Sequence, residues 1–326
     1  MAALLLNRTP GLYSVAVLTL LTAVVSPTSA QHSSSSDDVT RYVPDDCRYI
    51  ISVRLGQFLQ SGIWKAIQED IKSLRDLKKD FQEHTHFSME QIDRVSLAGA
   101  GTEPRKEAFF WIWHVGPSLK AADLIARFKL ENHKKIEING QTLYESLKKD
   151  DDSYGVIGEK TILWGPTQKI RAILVRNGKP KLNHDLETAL KQADFSKTLA
   201  FAGWPEVKDF PEKKDSSLSG FEKFLKQVLG IAGSVQADED LAVKLDVVFH
   251  DAETAEDGRK LADGALVVLW YTFQDDKNVP KEARDLINLL RQIKISSQGT
   301  TVRATVTVPA NVIKKAVKEA KDDSKR

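Results

Sequence analysis

The chain reads as an α+β protein: two similar units of mainly antiparallel sheet with packed helices, following a cleaved signal peptide. Three observations predict this. The N-terminal apolar segment is too short to span a bilayer, hairpin turn signals are frequent, and the order of elements in the first half returns in the second.

The signal segment comes first. Arg8 precedes an uncharged apolar run, Leu12–Val25 (LYSVAVLTLLTAVV), which ends at Pro27 and the small residues Thr28-Ser29-Ala30. This is the layout of an export signal, with cleavage expected after Ala30. The run falls short of the ~18–20 residues of a membrane span; the alternative is an uncleaved anchor. No cysteine follows at the cleavage point, so no lipid anchor is expected. Gln31–Asp38 (QHSSSSDD) is polar and Ser-rich, a flexible leader. The expected division is signal peptide 1–30, leader 31–41, first unit 42–180 and second unit 181–326.

The mature chain is longer than one ordinary domain, hence two units. Hydrophobic residues at 41% suffice for a core, and charged residues at 28% suit a soluble surface. A net charge of +2, with both signs interspersed, marks no nucleic-acid face. No second membrane segment is present, so no integral span is expected after cleavage. The single Cys47 excludes an intramolecular disulfide. It reads as a buried small apolar residue, with pairing between chains as the alternative.

Tyr42–Leu55 reads as a loop entering a strand centred on Ile50, Ile51 and Val53. From Gly56 to Phe81, Phe58, Ile63, Ile67, Ile71 and Leu74 recur at helical spacing, predicting one helix. Strands Ile92–Ala98 and Ala108–Val115 flank the loop GAGTEPRK, and Ser118 is placed to cap a helix to Phe128. In KIEINGQTLYES, Asn139-Gly140 stands between alternating apolar residues, the signature of a two-residue hairpin turn. A second hairpin pairs Ser153–Ile157 with Lys160–Trp164, and Pro166 opens a helix to Val175. After RNGKP and a short helix Asp185–Gln192 come strand Leu199–Ala202, helix Phe221–Leu229, and strands Ile231–Ala237 and Leu241–Phe249. Helices Ala252–Phe273 and Ala283–Arg291 come next. A hairpin, Ile293–Ser297 with Val302–Val308, leads through Pro309 to a last helix, Ala310–Ala320.

The shared order, with two local echoes, predicts a duplicated unit. WHVGPSLKAADLIA parallels FHDAETAEDGRKLA, and WGPTQKIRAIL parallels TVPANVIKKAV. On this reading His114 and His250 are equivalent, and the Asn139-Gly140 hairpin is an insertion in the first half.

The stretch EAFFWIWHV places Phe109, Trp111, Trp113 and Val115 on one strand face and Phe110, Ile112 and His114 on the other. A strand apolar on both sides is expected to be covered on both sides. The rival reading makes Trp111 and Trp113 a ligand-binding wall. His84 and His86 could share a metal, but zinc needs three or four ligands and no third is apparent. His114 and His250 are the candidates for an acid/base site, yet no G-x-S-x-G elbow accompanies them. AGAGTEPRK lacks a phosphate loop's spacing, and the acidic turns KKDDDSY and QADEDLA lack a calcium loop's spaced ligands and glycine. No cofactor is expected.

The opening YVPDDCRYIISVRLGQFLQSGIWKAI, behind an export signal, resembles that of uncharacterised exported proteins of planctomycete-type bacteria. In those a VP-D turn leads into a strand and then a helix with an L-SG-W pattern. A later helix of the A-D-GRKLADGA kind is similar as well. The resemblance implies an exported α+β protein and carries over no catalytic residue. The expectation for function is a non-enzymatic envelope protein, periplasmic or extracellular, binding a partner protein or an apolar ligand. The alternative is an exported hydrolase with a dispersed acid/base site.

Overall fold

The computed structural model describes residues 39–68, 72–85, 87–100, 109–128, 130–148, 151–176, 178–204, 226–274 and 283–315. The expected export signal, the expected leader as far as residue 38 and His86 lie outside them. So do residues 101–108, which include most of the expected loop GAGTEPRK, and most of the expected helix Phe221–Leu229.

The fold is α+β, and the twelve strands among the described residues form one sheet rather than two. They are β1 (Tyr49–Val53), β2 (Ile92–Gly99), β3 (Phe110–Val115), β4 (His133–Ile138), β5 (Gln141–Ser146) and β6 (Ser153–Ile157). After these come β7 (Thr161–Gly165), β8 (Leu199–Gly203), β9 (Val228–Ala237), β10 (Leu241–Phe249), β11 (Lys294–Gln298) and β12 (Thr301–Val308). Their order across the sheet is β11-β12-β10-β9-β8-β1-β2-β3-β7-β6-β5-β4, and every ladder is antiparallel. Read outward from the β1–β8 ladder, both directions give the same order of connections. The hairpin β4–β5 is added at one edge. Its turn has Asn139 at φ 51° and Gly140 at φ 75°, the paired positive values of a type I′ turn.

The registers repeat as well as the order. Ile51 faces Phe201 across the central ladder. Outward from Ile51 the facing residues are Leu97, Trp111, Trp164 and Tyr154. Outward from Phe201 they are Gly233, Leu245, Ala304 and Ile295. The β2–β3 and β9–β10 ladders also carry their register shifts at matching places.

This register corrects both echoes. The position equivalent to His114, three residues beyond Trp111, is Val248 rather than His250. Pro166 comes two residues after Trp164, whereas Pro309 comes five after Ala304. β12 thus runs three residues further before its proline. An odd number of extra residues sends the following helix to the other face of the sheet, because side chains and exits alternate along a strand.

One sheet face carries the largest core. Ile50, Ala98, Phe110, Ile112, Leu163, Ala200 and Ala232 lie beneath α5 (Thr167–Val175) and α6 (His184–Leu190). On the opposite face the apolar clusters are separate. Ile63 of α2 (Gly62–Gln68) and Leu289 of α8 (Ala283–Leu290) cover Leu199, Val235, Val243 and Val306. Leu124 and Ile125 of α4 (Ala121–Ile125) cover Val156 and Ile162. Ala255 of α7 (Ala252–Gln274) covers Val302.

The expected long helix Gly56–Phe81 is broken into α1 (Leu55–Gln60), α2 and α3 (Lys72–Thr85). Ser61 makes the first break. Its Oγ donates to the Phe58 carbonyl at 2.7 Å and accepts from the Trp64 amide at 3.0 Å, closing one helix and capping the next. Helical periodicity survives such a break, so the apolar spacing alone did not reveal it. The expected helix from Ser118 is only α4, which starts at Ala121. Val228 and Leu229, expected in a helix, open strand β9. Cys47 is buried and donates to the Tyr49 carbonyl at 3.0 Å. Burial pushes its thiol up to about 12, so it is protonated and unreactive at neutral pH.

Candidate functional site

Alternation within a strand and register between strands together build an apolar strip across the face opposite the main core. Tyr154, Trp164, Trp111, Leu97, Ile51, Phe201 and Leu245 are facing residues on successive strands, with Gly233 between the last two. The seven side chains are half-buried, whereas their strand neighbours Phe110, Ile112 and Ile50 on the core face are fully buried. From β6 to β10 the strip is ~33 Å long at the usual strand spacing. Gly233 admits the Phe201 ring: a Cβ there would lie 2.4 Å from it.

One end of the strip is aromatic. Trp111 and Trp164 stack at 6.2 Å and Trp164 and Tyr154 at 6.0 Å, while Trp113 meets Trp164 edge-on at 6.1 Å. Beyond Tyr154 stand Phe128 and His133, each 5.5 Å from its ring. Such offset and edge contacts are the favoured geometries of aromatic pairs. The Trp113 indole nitrogen is buried without a hydrogen-bond partner among the described residues. Burial raises the Asp152 carboxyl above its ordinary range, with the Trp164 side chain opposing the rise. Burial, then Asp152 and Asp151, raises the Tyr154 phenol.

Trp111 and Trp113 thus occupy a partly open wall, while Phe110 and Ile112 are the core side of the same strand. The expectation that the strand is covered on both sides holds fully for one face only. Trp164 and Tyr154 complete the wall. Each follows strand alternation, but only the pairing of β3, β7 and β6 places them beside Trp111.

The two candidate histidines do not form one site. His114 lies on the core face, its Nδ1 3.2 Å from Thr161 Oγ1, with Arg94 its facing residue on β2. His250 is exposed just past β10. Five strand spacings separate β3 from β10, ~24 Å, too far for a shared acid/base step. Next to His250, Asp251 caps α7 by accepting from the Thr254 amide at 2.8 Å. That bond and the Thr254 hydroxyl keep the Asp251 carboxyl below its usual range. His86 and the His84 side chain lie outside the described residues. Among the described residues no three His, Cys, Asp or Glu side chains are grouped to hold a metal, and no helix is long and apolar enough to cross a membrane.

No protein-family model matches the chain, and no curated protein matches it in sequence. Among solved structures the chain is similar to crystal form I of TP0453, a Treponema protein. The two are 13% identical, and the match covers 87% of this chain and 97% of that one with a TM-score of 0.42, a likeness too distant to bear on function.

Proposed function

We propose that the protein is an exported, non-enzymatic envelope protein, periplasmic or extracellular, that binds an elongated apolar ligand of the acyl-chain type along the strip. The observation that carries this reading is the half-buried row from Tyr154 to Leu245. It is continuous over neighbouring strands, contains no charged side chain and is walled by stacked rings at one end. Ligand sites are mostly apolar with few polar groups at fixed positions; Tyr154 and Asp152 supply such groups beside the aromatic end. A chain laid along the row would finish covering side chains that the fold covers only in part.

Displacement of a fluorescent fatty acid by palmitate tests the site. Saturable binding is expected, weakened at least tenfold by Trp164→Ala, which removes the ring shared by three aromatic contacts. Absence of saturable binding, or an unchanged affinity in the variant, would overturn the reading. Export rests on the N-terminal residues alone. Protein from the native envelope is expected to begin at or near Gln31 on N-terminal sequencing; an intact Met1 on membrane-bound protein would leave the uncleaved anchor instead.

The two halves are read as copies of one unit. The support is the matched strand order, the matched registers and the shared position of the register shifts. Related chains whose two halves share no residue pattern would remove that reading.

A further inference from the structure

Helix α7 changes character along its length. Its first turns lie on the sheet through Ala255 and Gly258 and are tied down by Glu256, which accepts from Arg259 and Ser297. From Leu261 onward large apolar side chains face solvent. Val268 is 64% exposed and Tyr271 62%, and Leu261, Val267, Leu269 and Phe273 are exposed as well. At 100° per residue these six spread over an arc of ~240°. Only the remaining third, with Asp263, Leu266 and Trp270, is half-buried, as is the small Ala262 within the arc. Trp270 is covered there by the Arg291 guanidinium, 4.7 Å from its ring.

We propose that this helix end inserts into one leaflet of a lipid membrane. Three features choose lipid over a protein partner. A globular partner docks on one side of a helix, covering half its circumference at most, whereas the apolar arc here is wider and calls for a medium that surrounds it. The six side chains offer on the order of 600 Å², taking ~200 Å² for a large side chain about half exposed. That is below the ~800 Å² per partner of a stable protein interface, yet larger than a scattered surface apolar residue requires. Third, the run Gly264–Gln274 (GALVVLWYTFQ) carries no charge and measures ~16 Å as a helix. Lying in the plane of the interface, it can sink its apolar arc into the boundary between headgroups and acyl chains. Asp263 before it and Asp275 after it bound the insertion. The inference is independent of the strip and of any ligand there.

The test is flotation of the exported chain with phosphatidylcholine vesicles. The wild type is expected to float with the lipid in low and high salt alike, since the contact is apolar, and the Trp270 region to shift its emission to the blue. The double variant Val268→Asp/Leu269→Asp, at exposed positions, is expected to lower vesicle partition at least tenfold while keeping the wild-type circular dichroism and urea midpoint, which certify its fold. Should that pair unfold, Val268→Asn/Tyr271→Ser is expected to give a smaller loss in the same direction. A wild type that stays in the buffer, or a folded variant that floats as well as the wild type, overturns the proposal. A wild type that sediments as a dimer, dissociated by the variant and indifferent to lipid, also overturns it and assigns the surface to a second copy.

Discussion

Phe110→Ala is expected to lower the free energy of unfolding by about 3–5 kcal/mol, the cost of emptying a buried aromatic site. Its neighbour Trp111→Ala is expected to cost only about 1–2 kcal/mol, from a ring contact and partial burial. The larger ring is the cheaper loss. Phe110 is fully buried among Ile112, Leu163 and Ala98, and the residues around it are held by the sheet and by α5. Trp111 stands on the other face against Trp164, where solvent reaches its edge and can fill the space left behind. Urea denaturation of the two variants measures the difference. Equal costs would show that Trp111 is as enclosed as Phe110 and that the strip is closed core. A Trp111→Ala protein that shows only this smaller loss of stability together with weakened palmitate binding is the expected pattern.

The second large effect concerns charge. Asp246 of β10 is fully buried. Its carboxylate accepts from Arg303 Nε at 2.7 Å and Nη2 at 3.1 Å, and Lys244 Nζ lies 2.9 Å away. Hydrogen bonding to Asp246 holds the Arg303 guanidinium above its ordinary range. Arg303→Met removes the bidentate partner and leaves the buried carboxylate to Lys244 alone. The expected loss is about 1–2 kcal/mol, below the figure for a fully buried pair because the Arg303 side chain is 39% exposed and Lys244 remains. The double variant Asp246→Leu/Arg303→Met removes that pair, leaves Lys244 Nζ on the Gln192 carbonyl, and is expected to recover part of the loss, since the apolar pair needs no desolvation. Urea midpoints for the two variants decide the matter. A single variant costing under about 1 kcal/mol would mean that Lys244 satisfies the carboxylate unaided.

The sequence carries few signs of this ion pair. Asp246 falls in LAVKLDVVF, where alternation assigns it a face but no partner. Arg303 is far along the chain, and only the β10–β12 register brings the two opposite each other. The aromatic wall was half legible in the same way. Trp111 and Trp113 stand out in one short strand, but Trp164 and Tyr154 belong to other strands, and no local pattern states which strands are neighbours.

Local chemistry by itself determined the α+β class, the position of the twelve described strands to within about three residues, and the Asn139-Gly140 hairpin. These come from side-chain alternation, helical spacing and turn residues with particular φ, all of which act over a few positions. Local chemistry also pointed to α7, whose ALVVLWYTF end would have suited a strand as well. Tertiary structure decided the rest. It joined both halves through β1 and β8 into one sheet, broke the first helix at Ser61, and set His114 and His250 on different strands and far apart. It also turned one side of an apolar strand into core and the other into a partly open strip. These outcomes depend on which strands pair and in what register, and that choice is settled by the total apolar area each arrangement buries, a quantity belonging to the whole chain rather than to any one segment.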